Sequence, residues 1–229
     1  MFSKVFLAQT GGETKNDLPK KLAYMALHFS PYNKGLSNLP GDLPKGSILL
    51  LDDSTPPTNH DPQLIVEQLW QLTGQFSPVA VLLDFQRPVT EELNTMAAHL
   101  VKSLPRPVGV TESYARDLNC PVFLSPVPVN KGLEDYLKPW MKQGVYLEIA
   151  PDCVEITVTE TGSTKTQILP VPGLPLIDER LHCHYQVEVS DGKAVFTLCR
   201  YKGDLVSLVQ EAEKLGVLGC VGLYRELSE

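Results

Sequence analysis

Residues 47–104 read SILLLDDSTPPTNHDPQLIVEQLWQLTGQFSPVAVLLDFQRPVTEELNTMAAHLVKSL, and the punctuation of this stretch sets the fold. Its two apolar runs, SILLLDD (47–53) and VAVLLDF (79–85), lack strict alternation, as strands covered on both faces do. Each is followed by a helical pattern. In DPQLIVEQLWQL, Asp61 is placed to cap, Pro62 suits the first helical position, and Leu64, Ile65, Leu69 and Leu72 recur at helical spacing. Thr90 is placed to cap a second helix, with Leu93, Met96, Ala97, Leu100 and Leu104 on one stripe and Glu91 and Glu92 at the positive end of its dipole. Strand, helix, strand with short connections is the pattern of right-handed parallel crossovers.

Working outward, similar apolar runs occur at KVFLAQ (4–9), LAYMALHF (22–29), RPVGVTE (106–112), CPVFLSPV (120–127), VYLEIA (145–150), AVFTLCR (194–200) and CVGLYREL (220–227). A third helix is expected from Asp204, with Leu205, Leu208, Val209, Ala212 and Leu215 inward and Gly216 as its stop. A shorter one carries Leu133, Tyr136, Leu137 and Trp140 and breaks near Pro139, whereas SYARDLN has no room for a long helix. Eight parallel strands close a barrel, and nine candidates are present. KVFLAQ is set aside from the eight, as a plug at the barrel bottom or as a replacement for LAYMALHF. Two segments alternate instead: CVEITVTETGSTKTQILPV around Thr-Gly-Ser, and HYQVEVSDGKAVFTLC around Asp191-Gly192. The expectation is therefore one α/β domain over residues 1–229, a small irregular (β/α)8 TIM-like barrel with an antiparallel β-hairpin insertion over about residues 151–193. The chain is shorter than the roughly 250 residues usual for such barrels, so some crossovers must be loops.

Composition excludes several classes. With 43% hydrophobic residues among 229, the chain can bury a real core. A net charge of −7 and the absence of a Lys/Arg-rich run argue against nucleic acid as a partner. No apolar stretch approaches the roughly 20 residues that span a bilayer, and MFSKVFLAQTGGETKND lacks the apolar centre of a signal peptide. Cys120, Cys153, Cys183, Cys199 and Cys220 are odd in number, widely spaced and mostly in apolar segments, which suggests buried free thiols and a cytoplasmic protein. Thr10-Gly11-Gly12 is too short for a phosphate loop, and no nucleotide motif or Gly-x-Ser-x-Gly elbow occurs. No cofactor is implied. His182 and His184 share one side of a strand and so have metal-ligand spacing, but His28, His60 and His99 add no supporting pattern, and no metal is assigned. Trp70, on a helical stripe, reads as packing or interface.

In a parallel barrel the working residues lie at the carboxyl ends of the strands. Here these are His28, Asp52, Asp53, Asp84, Gln86, Glu112, Ser125, Glu148, Arg200, Tyr224 and Arg225. The string VAVLLDFQRP (79–88) resembles the fourth-strand signature of the family 18 glycoside hydrolases, the chitinases and their relatives, in which acids alternate as D-x-x-D-x-D-x-E. Asp84 falls on the last Asp, Phe85 on the aromatic spacer, Gln86 on the catalytic Glu and Pro88 on a following Pro, while Val79 and Leu82 replace the other acids. LAYMALHF is similar to an early strand of that fold and VGLYREL to its last, with Tyr224 where the family usually has Trp. The resemblance implies a Glu that protonates the glycosidic oxygen and an Asp that orients the substrate N-acetyl group, the substrate-assisted variant of glycoside hydrolysis.

Gln86 has no proton to give at that position. The expectation is a glycoside-hydrolase-like barrel without its usual acid, binding a carbohydrate or related small polar ligand through Asp52, Asp53, Gln86, Arg200, Tyr224 and Arg225. The alternatives are a barrel enzyme of another class, with Asp84, Glu112 and Glu148 as catalytic carboxylates beside Arg200, and a non-enzymatic scaffold. Pairing of those carboxylates with Arg200 or Arg225 is the plain structural alternative.

Overall fold

A computed structural model describes residues 5–9 and 20–227; Thr10-Gly11-Gly12 lies outside them. In chain order the elements are β1 (Val5–Gln9), β2 (Leu22–Phe29), β3 (Leu36–Ser37), β4 (Ile48–Asp52), α1 (Pro62–Phe76), β5 (Ala80–Asp84), α2 (Glu91–Ser103), β6 (Val108–Thr111), α3 (Glu112–Ala115), β7 (Val122–Leu124), α4 (Leu133–Leu137), β8 (Val145–Glu148), β9 (Asp152–Thr159), β10 (Gly162–Gln167), β11 (Leu176–Asp178), β12 (Cys183–Ser190), β13 (Lys193–Arg200), α5 (Asp204–Leu215), β14 (Gly219–Leu223) and α6 (Tyr224–Leu227).

The strands β1, β2, β4, β5, β6, β7, β8 and β14 pair parallel in that circular order, and β14 closes on β1, giving a (β/α)8 barrel. KVFLAQ is thus the first barrel strand, alongside LAYMALHF and not in its place. The surplus candidate is AVFTLCR, which forms β13 in a separate antiparallel sheet of order β10-β9-β13-β12-β11. The insertion is therefore five strands over residues 152–200, larger than a hairpin. The Asp191-Gly192 turn is as expected, with both residues at positive φ (46° and 76°), the geometry that lets two strands join through two residues. The β9–β10 turn falls at Glu160 and Thr161, just before the expected glycine.

Caps work as read. Asp61 accepts from the Gln63 amide, Thr90 from the Leu93 amide, and Gly216 ends α5 at φ 90°. One helical residue differs: Leu64 is exposed, and Val66 and Phe76 fill the inner face of α1 with Ile65, Leu69 and Leu72. The β6–β7 crossover is the single turn α3.

Two apolar layers result. The larger lies between strands and helices, and the smaller plugs the barrel with Phe6, Ala8, Ala23, Ile48, Leu50, Ala80, Leu82, Phe123, Tyr146 and Val221. Two of the five cysteines depart from expectation. Cys153 and Cys199 face each other in the β9–β13 register and form a disulfide, while Cys120, Cys183 and Cys220 are free and buried. The pair is 46 positions apart, so only the strand register reveals it. Disulfides belong to oxidising compartments, and the argument from free thiols to the cytoplasm loses its footing. Among the described residues no helix is long and apolar enough to cross a membrane.

The plug leaves no slack at β6. A Cβ on Gly109 would lie 2.7 Å from Leu82 Cδ2 and 3.4 Å from Tyr146 Cδ2. Gly109→Ala is expected to cost about 1–3 kcal/mol by overpacking, lowering the melting temperature by about 2–4 °C per kcal/mol in calorimetry.

Candidate functional site

The pleat sends alternate residues inward, so the side chains following Leu50, Leu82 and Tyr146 on the barrel axis are Asp52, Asp84 and Glu148. These three carboxylates stand on the apolar plug. His28, Asp52 and Asp84 are neighbours in register across β2, β4 and β5, because an irregularity between Tyr24 and Leu27 shifts β2 and turns His28 to the mouth.

Asp52 and Asp53 are consecutive and therefore point to opposite sides. Asp52 accepts from the Ser54 amide at 2.8 Å and remains half-buried. Asp53 is 3% exposed, and its two oxygens accept the backbone amides of Gln86 and Arg87, each at 3.0 Å. The Arg87 guanidinium returns to the carbonyls of Asp53 (2.6 Å) and Ser54 (2.7 Å). Thr111 Oγ1 donates to the Phe85 carbonyl at 2.9 Å, and the Phe85 ring sits between Phe29 and Tyr114. The loop after β5 is thus pinned from β4, β6 and α3. Asp53 is an anchor for this loop and not a group open to solvent.

That anchoring fixes Gln86. Its exposed side chain donates from Nε2 to Asp84 Oδ1 at 2.5 Å. Burial raises the Asp84 pKa above the ordinary value; the Gln86 hydrogen bond opposes this, and the charges of Asp52 and Asp53 add to it. Glu148 is pushed up to about 7, first by burial and then by Asp84 and by Glu226 of α6. Tyr136, on α4, donates its hydroxyl to the Ser125 carbonyl at 3.0 Å, and burial with Glu112 and Glu148 nearby pushes it up to about 12. It stays a hydrogen-bond donor at neutral pH.

Asp84, Glu148, Asp52, Gln86 and, at the rim, exposed Glu112 share the mouth, with Tyr136 within electrostatic reach of Glu112 and Glu148. Tyr224 and Arg225 follow β14 on the one-turn helix that also carries Glu226. Arg200 stands apart. It is 1% exposed, and its guanidinium donates to the carbonyls of Val127, Leu181 and His182, tying the second sheet to the loop after β7. No carboxylate of the mouth pairs with it. The pair His182 and His184 is likewise occupied: His182 meets Ser207 and Glu211, and His184 meets the Leu174 carbonyl and Asp204. No group of metal-ligating side chains occurs among the described residues.

Sequence reasoning passed over Tyr136, Thr111 and Arg87. In the sequence Tyr136 falls on a helical stripe, and only the spatial return of α4 over the β7 end brings it to the carboxylates. The anchoring role of Asp53 had a local signal, since two consecutive acids on a strand cannot both face the axis.

Two outcomes follow from this geometry. Asp53→Ala removes the acceptor of two amides and is expected to cost on the order of 2 kcal/mol, with faster hydrogen exchange at the Gln86 and Arg87 amides. For Glu148, the folded pKa is about 7 against 4.5 for the free group, so between those values the folded state holds more protons than the unfolded one and stability falls as pH rises. Glu148→Gln is therefore expected to stabilise the protein at pH 8 by on the order of 2 kcal/mol, read as a higher melting temperature, and to leave the melting temperature unchanged at pH 4.

No family model matches the chain, and comparison with curated proteins gives no match. Solved structures do match. The spore cortex-lytic enzyme SleL of Bacillus cereus superposes with a TM-score of 0.54 at 8% identity, over 96% of this chain and 70% of that one. The class V chitinase of Nicotiana tobaccum gives 0.54 at 10%, over 96% and 92%, and a glutamate-to-glutamine variant of it is known in complex with NAG4. A chitinase-like agglutinin of Robinia pseudoacacia gives 0.53 at 10%, over 94% and 93%. With KVFLAQ counted in, VAVLLDFQRP lies on the fourth barrel strand, and the chain has the closed (β/α)8 fold of family 18 chitinases and chitinase-like proteins.

Proposed function

We propose that the mouth binds a carbohydrate, of the N-acetylglucosamine-oligosaccharide type or a related polar ligand, without hydrolysis by the residue at position 86. The observation that carries this reading is Gln86, held by its backbone to Asp53 and by its side chain to Asp84, the residue that the resemblance of VAVLLDFQRP to the family motif aligns with the acid. An amide there donates and accepts hydrogen bonds but transfers no proton. Asp84, Asp52 and Tyr136 supply further polar partners above an apolar floor, the combination that suits a sugar ring with its hydroxyl edge and C–H face. The folds of a chitinase-like agglutinin and of a chitinase variant solved with NAG4 support the same ligand class.

Glu148 favours a second reading. A carboxyl with a pKa of about 7, coupled to Asp84, is suited to proton transfer at neutral pH, and the pair would serve a hydrolase of another class. Glu112 is exposed at the rim and lies outside this pair.

N-acetylglucosamine oligomers at tenfold over Kd are expected to stabilise the protein by about 1.4 kcal/mol in a thermal-shift titration, and Asp84→Ala to reduce the effect. Stabilisation by phosphorylated metabolites alone, or by no sugar, overturns the carbohydrate reading. Gln86→Glu is expected to create chitin-oligosaccharide hydrolysis roughly 100-fold or more above wild type. Wild-type hydrolysis that is lost in Glu148→Gln, with a pH profile breaking near 7, establishes the second reading instead.

A further inference from the structure

On the outer face of α1, away from the barrel axis, Trp70 leaves half its surface in water. A tryptophan offers the largest apolar area of any side chain, and packing normally hides it. Its indole N–H donates to the Ser103 carbonyl at 3.0 Å, satisfying one of the free carbonyls at the end of α2. That bond explains the N–H and fixes the ring plane, but it does not require an open ring face. Gln63, Glu67 and Gln71 flank the ring on the same helix face, and together with Val66 they line an open depression of about 480 Å³. Gln63 donates to Glu67 at 3.2 Å, which orients the carboxylate.

A second observation concerns Gly74, one turn further on. Glycine inside a helix costs about 0.5–1 kcal/mol relative to alanine. Neither usual excuse applies, because a Cβ at Gly74 would meet nothing within 4 Å and its φ lies outside the left-handed region. A helical side chain leans back over the preceding turn. A longer residue at position 74 would extend back towards the turn that carries Trp70, and glycine leaves that surface open.

We infer that α1 carries a second, surface carbohydrate site in which a neutral sugar ring stacks on Trp70 and hydrogen-bonds to Gln63, Glu67 and Gln71. The alternatives fit the chemistry less well. No cationic side chain lines the depression, so it does not recruit a phosphate or carboxylate. The single carboxylate is already engaged by Gln63, and one ring does not make a cage for a cation. One indole amid three polar side chains is not the contiguous apolar patch of a protein interface. An aromatic face edged by amides matches a pyranose, and Gln63 to Trp70 spans roughly 10 Å along the helix, room for two rings. The site stands apart from the mouth and shares its ligand class.

The chain has two tryptophans, Trp70 and Trp140, so the protein gives two indole N–H signals, assigned by Trp70→Phe. In titrations with N-acetylglucosamine and cellulose-type oligosaccharides, the Trp70 signal is expected to shift with at least one series. The shift should persist in Asp84→Ala, which weakens the mouth. Trp70→Ala should weaken retention on the corresponding insoluble polysaccharide about tenfold, and Gly74→Gln should raise the melting temperature while reducing that retention. Silence of the Trp70 signal with both series overturns the inference, as does a shift that disappears in Asp84→Ala. Failure of the mouth reading leaves the Trp70 shift intact, so the two proposals fail separately.

Discussion

Closure of eight strands around a plug of side chains is the constraint on which the rest depends. A barrel of this size has an interior just wide enough to be filled by the residues that line it. Phe6, Leu82, Phe123 and Tyr146 fill it here, with Gly109 and Gly219 yielding the space they need. Water is thereby excluded from below, and the next inward residues, Asp52, Asp84 and Glu148, rest on a dry floor. Their desolvation is a consequence of closure. The raised pKa values of Asp84 and Glu148 are the electrostatic signature of the same packing that holds the barrel together.

The site depends next on a division of labour between adjacent acids. Strand geometry turns Asp52 to the axis and Asp53 away from it, and Asp53 spends its charge on the two amides of the following loop. A carboxylate accepting two backbone N–H groups fixes that loop more firmly than a neutral acceptor would. Gln86 is thus presented in a set position even though it cannot transfer a proton. The loop that positions residue 86 is anchored at consecutive backbone amides, and the side chain it presents is an amide.

Most of the barrel was legible because buried parallel strands and capped helices each leave a local pattern. SILLLDD, VAVLLDF and the Asp61 and Thr90 caps needed no tertiary information. AVFTLCR misled because Phe196, Leu198 and Cys199 make an apolar run like that of a doubly covered strand, whereas they belong to an antiparallel sheet with Cys199 bonded to Cys153 and Leu198 packed beside Val154. KVFLAQ was displaced by that surplus. The carboxylates were legible as strand ends, Asp84 and Glu148 among them. Arg200 was not, because a strand-end arginine looks the same whether it faces a mouth or, as here, three backbone carbonyls. Tyr136 was hidden by distance along the chain.

The acids of the mouth carry an energetic cost in the folded protein. A carboxyl whose pKa is raised from 4.5 to about 7 makes the folded protein less stable at neutral pH than a neutral amide in its place would. Asp84 adds to the same cost and is itself disfavoured by Asp52 and Asp53. A barrel serving only as a scaffold gains nothing from holding these acids together, and replacing Glu148 by Gln would relieve it. A group that donates a hydrogen bond to Asp84 and accepts one from protonated Glu148 would offset part of that cost.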